Sequence, residues 1–442
     1  MGKIYHLNLQ NWDADFTKLL QFPIMNKRTF LQHTVALGVA GFVPRIALTE
    51  WLDRYKSHSS EELATDEEFW AGIRAGYKLK PDYINLENGY YCILPQETLD
   101  KYLEHVREVN LQGSYYMRTV QAENKKKVIA RLSELAGCAP TEMAITRNTT
   151  ESLDTVINGI HWNAGDEAIM AQQDYGSIVN QLKLMQKRYS IVANVLSVPN
   201  HPASDDEIVE LYRKAITPKT KLILVSHMVN ITGQILPIRK ISDMAHKLNV
   251  DVAVDGAHTF GHLNFKIPDL GCDYYAASLH KWLSVPIGTG ILYVKEGKAP
   301  GLWSLMADWA MNDDITHLAH TGTHPVATDL TILDAIDFYT KLGPERKEAR
   351  LRYLQTYWTS RVRNVKNILV NTPADAARAC GIANVGIKTM KPADLAKTLL
   401  DKYKVWTVAI DGQGVQGCRI TPNVYTTTAE LDVFVKALIE MG

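Results

Sequence analysis

The chain carries no excess of either charge: its 442 residues hold 48 Lys plus Arg against 48 Asp plus Glu. No global field steers it toward nucleic acid or an anionic membrane surface. Cysteine is scarce and unpatterned. The five (Cys92, Cys138, Cys272, Cys380, Cys418) are odd in number and never spaced C-x-x-C, which argues against a disulfide framework and against a zinc site. No apolar run is long enough to span a bilayer, so stable membrane insertion is not expected. Internal repeats and low-complexity tracts are missing as well. What is present is an ordinary globular composition, 46% hydrophobic, in a chain long enough for two domains or one large domain with a satellite.

One segment looks like an address. "MNKRTFLQHTVALGVAGFVP" begins at Met25 with the basic pair Lys27-Arg28, continues through Phe30-Leu31, and then runs uncharged from Thr34 to Val43. It resembles a twin-arginine export signal with a lysine in the first arginine place and no clear A-x-A cleavage site. If Met25 is the true start, the expectation is export to the periplasm. Otherwise the segment reads as an amphipathic surface helix and the protein as cytoplasmic. Residues 1–50 are treated as an N-terminal extension.

From about residue 140 the chain alternates short apolar runs with helical spacing. "EMAITR", "EAIMAQQ", "ANVLSVP", "KLILVSHM", "VDVAVDGA", "YYAASLH" and "GILYVKE" read as strands. "TTESLDTVINGI", "SIVNQLKLMQKRY" and "PIRKISDMAHKLN" read as helices between them. Such alternation predicts an α/β domain with parallel strands buried on both faces. It is placed at residues 95–325, preceded by a segment at 51–94. A long helical pattern follows, interrupted at Gly343-Pro344, and then mixed strands and helices to "TAELDVFVKALIEM". Residues 326–442 are therefore expected to form a smaller α+β domain.

The strand "YYAASLH" ends at Lys281. A lone lysine at a strand end usually snorkels to solvent. Here "VDGAH" places Asp255 and His258 at the end of another apolar strand, and a carboxylate rarely ends a buried strand without a partner. In open α/β sheets ligands bind beyond the carboxyl ends of the strands. A lysine and an aspartate converging there suit pyridoxal 5'-phosphate: the lysine forms the Schiff base, and the carboxylate pairs with the pyridinium nitrogen so that the ring can act as an electron sink. "TRNTTES" offers a phosphate cup, with Asn148, Thr149 and Thr150 at a helix start; a simple helix cap would read the same way. "QQDYGS" offers Tyr175 as a stacking ring, and "SHMVNITGQILP" offers Asn230 as a partner for the ring hydroxyl.

With these segments in view, the chain resembles fold-type I pyridoxal phosphate enzymes of the class V aminotransferase group. That group includes cysteine desulfurases, kynureninase and isopenicillin N epimerase, and the last is the nearest in look. "VDGAH", "CDYYAASLHKWL", "GTGILYV", "HTGTHP" and "CRITPNVYTT" carry the likeness from about Asn85 onward. It implies a large domain with a mainly parallel sheet and a smaller C-terminal domain. It further implies that Lys281 is the Schiff-base lysine, Asp255 the pyridinium partner and Tyr175 the stacker, with His258 beside the ring. Ser278 and His280 would join the phosphate cup. Gly322 and Thr323 would reach the neighbouring subunit's phosphate, which implies a homodimer with shared active sites. Arg419 would grip the substrate carboxylate, with Asn88, Gly89 and Tyr91 as further substrate contacts. His317, His320 and His324 lie near one another but lack a carboxylate or cysteine pattern, so no metal is expected.

The departures narrow the chemistry. Desulfurases carry a nucleophilic cysteine on a loop before the arginine's strand, and "VAIDGQGVQG" holds none. Cys418 adjoins Arg419, but strand alternation would point it to the opposite face. The likeness implies an α-amino acid or related amine, bound as an external aldimine in an aminotransferase- or epimerase-type reaction. A β-eliminating C–S lyase is the alternative, and a non-catalytic binding protein that kept the fold is the alternative from another class.

Overall fold

The computed structural model describes residues 48–307 and 314–442; the export-like segment at 25–43 lies outside the described residues. In chain order the strands are β1 (Ile84–Asn85), β2 (Met143–Thr146), β3 (Glu167–Ala171), β4 (Val192–Leu196), β5 (Thr220–Ser226), β6 (Asp251–Asp255), β7 (Tyr274–Ser278), β8 (Gly290–Val294), β9 (Ile368–Val370), β10 (Ala383–Ile387), β11 (Val405–Trp406), β12 (Val408–Gly412) and β13 (Val415–Ile420). Every apolar run named above falls on one of them.

Seven strands form one sheet in the order β2-β8-β7-β6-β5-β3-β4. The apolar runs are continuous because both faces are covered. In β5, Ile223 and Val225 enter one core while Leu222 and Leu224 enter the other. Strands β3 to β7 pair in parallel, but β8 is antiparallel to both β7 and β2, which corrects the expectation of parallel strands for that element. The reason lies in the connection. Residues 279–289 contain no helix, and without a crossover the next strand can only return antiparallel. β2 then runs in the same direction as β7, so the carboxyl ends of β2, β3, β5, β6 and β7 share one edge.

A second sheet, β12-β13-β10-β9, is antiparallel, and β1 pairs in parallel with β11. Its core takes Leu354, Trp358 and Val362 from the helix Pro344–Val362, and Leu431, Phe434 and Leu438 from the helix Thr428–Met441. The helix Val326–Leu342 belongs elsewhere. It sends Ile332, Ala335, Ile336 and Tyr339 into the core of the large sheet, and Phe338 and Leu342 into a separate cluster with Leu63, Phe69 and Trp70.

Candidate active site

At the end of β2, Asn148 caps the helix Thr149–Gly159 by accepting the Glu151 N–H at 2.9 Å. The Thr149 N–H donates to Ser278 Oγ at 3.0 Å, and the two hydroxyls lie 2.7 Å apart. These bonds tie the helix start to the end of β7. The approach depends on Gly290, where a Cβ would stand 2.7 Å from Asn148 Cα. Glu151, whose charge would repel an anion here, is paired with Arg147 at 3.0 Å. Thr150 is half-buried beside it, and His280 turns a buried Nδ1 toward no protein partner. Burial, and then the Lys281 charge, push His280 down to about 4, so its ring is neutral.

Lys281 sits in a turn closed by Ser284 N–H to Lys281 O and by Val285 N–H to Leu279 O. Its Nζ lies 3.2 Å from His258 Nε2, while the Trp282 indole N–H donates to His258 Nδ1 at 3.3 Å. Burial is the largest influence on Lys281 and lowers it to about 8; Asp255 opposes the shift and Arg419 adds to it. Burial likewise drives His258 well below its ordinary value, aided by Lys281 and Arg419. Asp255, on the neighbouring strand end, is pushed up by burial against the pull of the Ala257 N–H at 2.9 Å and of Lys281. A buried carboxylate held this way gains from one more cation or N–H donor.

Tyr175 caps the start of the helix Gly176–Tyr189 and is 44% exposed. Its backbone is fixed by Asp174, a residue the sequence did not single out. Asp174 Oδ1 accepts the Ser226 N–H and Oγ–H at 3.1 and 2.7 Å, and Oδ2 accepts the Ala171 N–H at 2.7 Å. From the β12–β13 hairpin, the Gln413 amide donates to Asp174 O at 3.0 Å. Asn230 keeps a buried Oδ1 without a protein partner.

Arg419 is 7% exposed and is already occupied. Its Nε donates to Glu87 Oε2 at 3.1 Å, its Nη2 to Glu87 Oε1, and its Nη1 to Asn230 O at 3.4 Å. Nothing in the sequence points to Glu87 as the partner, since the two residues lie 332 apart; only its charge before a buried turn could have raised the question. Gly89 allows the guanidinium in, because a Cβ there would stand 2.9 Å from Arg419 Cζ. Asn88 is engaged by the protein itself, donating to Thr421 O and accepting from Tyr425 OH and Asn85 Nδ2. Tyr91 is half-buried, and burial pushes its phenol up to about 12.

Gly322 and Thr323 are exposed. Of the nearby histidines, His317 bonds to Asp314 O and Leu302 O, and His324 to Asp329 Oδ2 at 3.0 Å. Among the described residues no group of three or more His, Cys, Asp or Glu could hold a metal ion, and no helix is long and apolar enough to cross a membrane. Cys418 Sγ points to Pro392 O in the small-domain core, away from Arg419.

The family profile described as "Aminotransferase class-V" matches residues 92–434. The chain belongs to the aminotransferase class-V family. It is 26% identical over 393 residues to isopenicillin N epimerase from Amycolatopsis lactamdurans, covering 84% of this chain and 98% of that protein. It is 25% identical over 319 residues to a probable cysteine desulfurase from Halalkalibacterium halodurans, covering 69% and 77%. Among solved structures, the apo cysteine desulfurase from Thermococcus onnurineus NA1 superposes with a TM-score of 0.74 at 17% identity, over 85% of this chain and 98% of that one. Class-V enzymes depend on pyridoxal phosphate, and this donor set fits it. Two hydroxyls at a helix N-terminus suit the phosphate, the buried Asp255 suits a pyridine N–H, and the partnerless Asn230 Oδ1 and His280 Nδ1 await polar groups.

Proposed function

We propose that this class-V protein binds pyridoxal 5'-phosphate at Lys281 and moves the α-proton of an α-amino acid, as an epimerase or aminotransferase. The observation that carries this reading is the Lys281 amine, 3.2 Å from a neutral imidazole on the same strand-end edge as Asp255 and the hydroxyl cup. When bound, the cofactor supplies an electron sink for charge left on the substrate Cα. Thr149, Ser278 and the helix N-terminus hold its phosphate, and Tyr175 covers its ring. Asp255 holds the proton on its ring nitrogen. Lys281 Nζ is the base placed to take up and return the α-proton, and burial keeps it near the working pH range. Arg419 receives the substrate carboxylate in competition with Glu87. A homodimer completes each site through the partner's Gly322-Thr323 pair. The hairpin before β13 offers Gln413 and no cysteine, which disfavours a persulfide route.

The test is loading with pyridoxal phosphate followed by a screen of D- and L-amino acids in deuterated water. The expected result is a visible band bleached by borohydride, together with deuterium at Cα and either an inverted centre or a keto acid. Release of ammonia with loss of the β-substituent would move the assignment to a C–S lyase. A colourless protein that takes up no cofactor would leave only a binding role.

A further inference from the structure

We propose that Trp282 is a positioning residue that fixes the tautomer of His258, so that its Nε2–H faces and donates to the uncharged amine of Lys281. The inference rests on Lys281 being the cofactor lysine, and it deepens that reading. An indole N–H can only donate, so His258 Nδ1 at 3.3 Å must present a lone pair. A neutral imidazole carries one N–H, which then lies on Nε2, 3.2 Å from Lys281 Nζ. An ammonium at Nζ would set donor against donor, whereas a free amine accepts. The imidazolium form would likewise turn an Nδ1–H against the indole N–H.

The neighbours hold the indole in place. Trp282 is fully buried, its ring lies 3.8 Å from that of His262 with the planes 32° apart, and its carbonyl accepts from Lys347 Nζ. His262 is itself tied back, with Nδ1 2.8 Å from His258 O. The charged and titratable groups facing Lys281 are Asp255 from β6, Arg419 from β13, Glu87 and Cys92 from the N-terminal segment, and the neighbouring His280, besides His258. Those facing His258 are Lys281, Arg419, His262 and His280. None of them substitutes for the indole at Nδ1. The device favours the unprotonated amine, the form that attacks an aldehyde, without placing a second charge in the site.

The experiment compares the wild-type protein with Trp282→Phe. Nitrogen NMR of histidine-labelled apoprotein reads the His258 tautomer directly. The pH dependence of covalent pyridoxal phosphate uptake reads the Lys281 amine. The expected wild type shows the Nε2–H tautomer. The expected variant shows Nδ1–H character and an uptake midpoint raised by about 0.5–1 unit, the size of one net hydrogen bond. A residue that merely filled space would slow uptake at every pH and leave the midpoint in place, which would overturn the proposal, as would an Nδ1–H tautomer in the wild type. Should Trp282→Phe not fold, benzothienylalanine installed at position 282 keeps the shape and removes only the N–H. If wild-type protein formed no reducible adduct at Lys281, the cofactor reading would fall, while the apoprotein NMR would still decide the tautomer.

Discussion

The cleft around Lys281 and the seam around Lys347 each hold a buried amine, and burial lowers both to about 8. Their surroundings differ. Lys347, on the helix Pro344–Val362, is only 5% exposed; it donates to Trp282 O and lies 5.4 Å from the centre of the Tyr339 ring. Its other neighbours, Cys92 and Cys380, are thiols held protonated by burial. Lys281 faces Asp255, a neutral imidazole and a cup of hydroxyls, at an edge where Asn230 and His280 keep polar atoms without protein partners. A lowered amine value is common to both sites, so it cannot by itself mark the reactive one. What separates them is their company: an acid, an imidazole and hydroxyls around Lys281, against a carbonyl, an aromatic ring and two protonated thiols around Lys347; buried polar atoms without a protein partner occur near both, at Asn230 and His280 and at His262 Nε2.

Substitution of the two lysines is the strongest way to break that contrast. Lys281→Ala should abolish covalent cofactor attachment and cut turnover by at least ~10²–10⁴-fold, as read by the visible band and by product formation. Lys347→Met should keep the band. Both lysines bind fewer protons folded than unfolded between about 8 and the ordinary 10.5, so apoprotein stability should rise with pH across that window. Denaturant unfolding at pH 8 and pH 10 should show a smaller rise in Lys347→Met than in wild type. An equal rise would mean that Lys347 is not held as a depressed amine.

Asp255→Ala comes next. Turnover should fall by ~10²-fold or more while phosphate and ring contacts retain much of the cofactor. Near-normal rates would dissociate Asp255 from the ring nitrogen and leave it a buried acid like Asp174.

Much of this was legible in the chain itself. The apolar runs named the strands because both faces of the large sheet are covered. "VDGAH" and "SLHK" led to Asp255, His258 and Lys281 lying close together, because strand ends in an α/β sheet share an edge. The tertiary partners were not legible. Glu87 meets Arg419 across 332 residues, and Lys347 reaches Trp282 across 65. Trp282 was not singled out in the sequence, and only its indole direction reveals the contact with His258. The antiparallel β8 was hidden for another reason: alternation of elements reports crossovers, and the connection before β8 has none.

Smaller effects test the periphery of the cleft. Arg419→Ala should cost about 2–4 kcal/mol in kcat/KM for α-amino acids, mainly through KM, and should leave the cofactor band intact. Glu87→Gln should move KM the other way, because the guanidinium loses its resident carboxylate. A rise in KM in Glu87→Gln would instead make the pair a purely structural bridge. If Thr323 reaches the partner's phosphate as proposed, Thr323→Ala would remove one hydrogen bond to a charged group, worth about 1.5–3 kcal/mol, and cofactor affinity should fall ~10-fold or more in the dimer. Unchanged affinity would exclude Thr323 from the partner's cup.

Peptide mapping after borohydride reduction of the pyridoxal phosphate-loaded protein decides between the two lysines. The adduct is expected on the peptide that carries Lys281 and not on the one that carries Lys347. An adduct on Lys347, or one spread over surface lysines with Lys281 unmodified, would contradict that expectation.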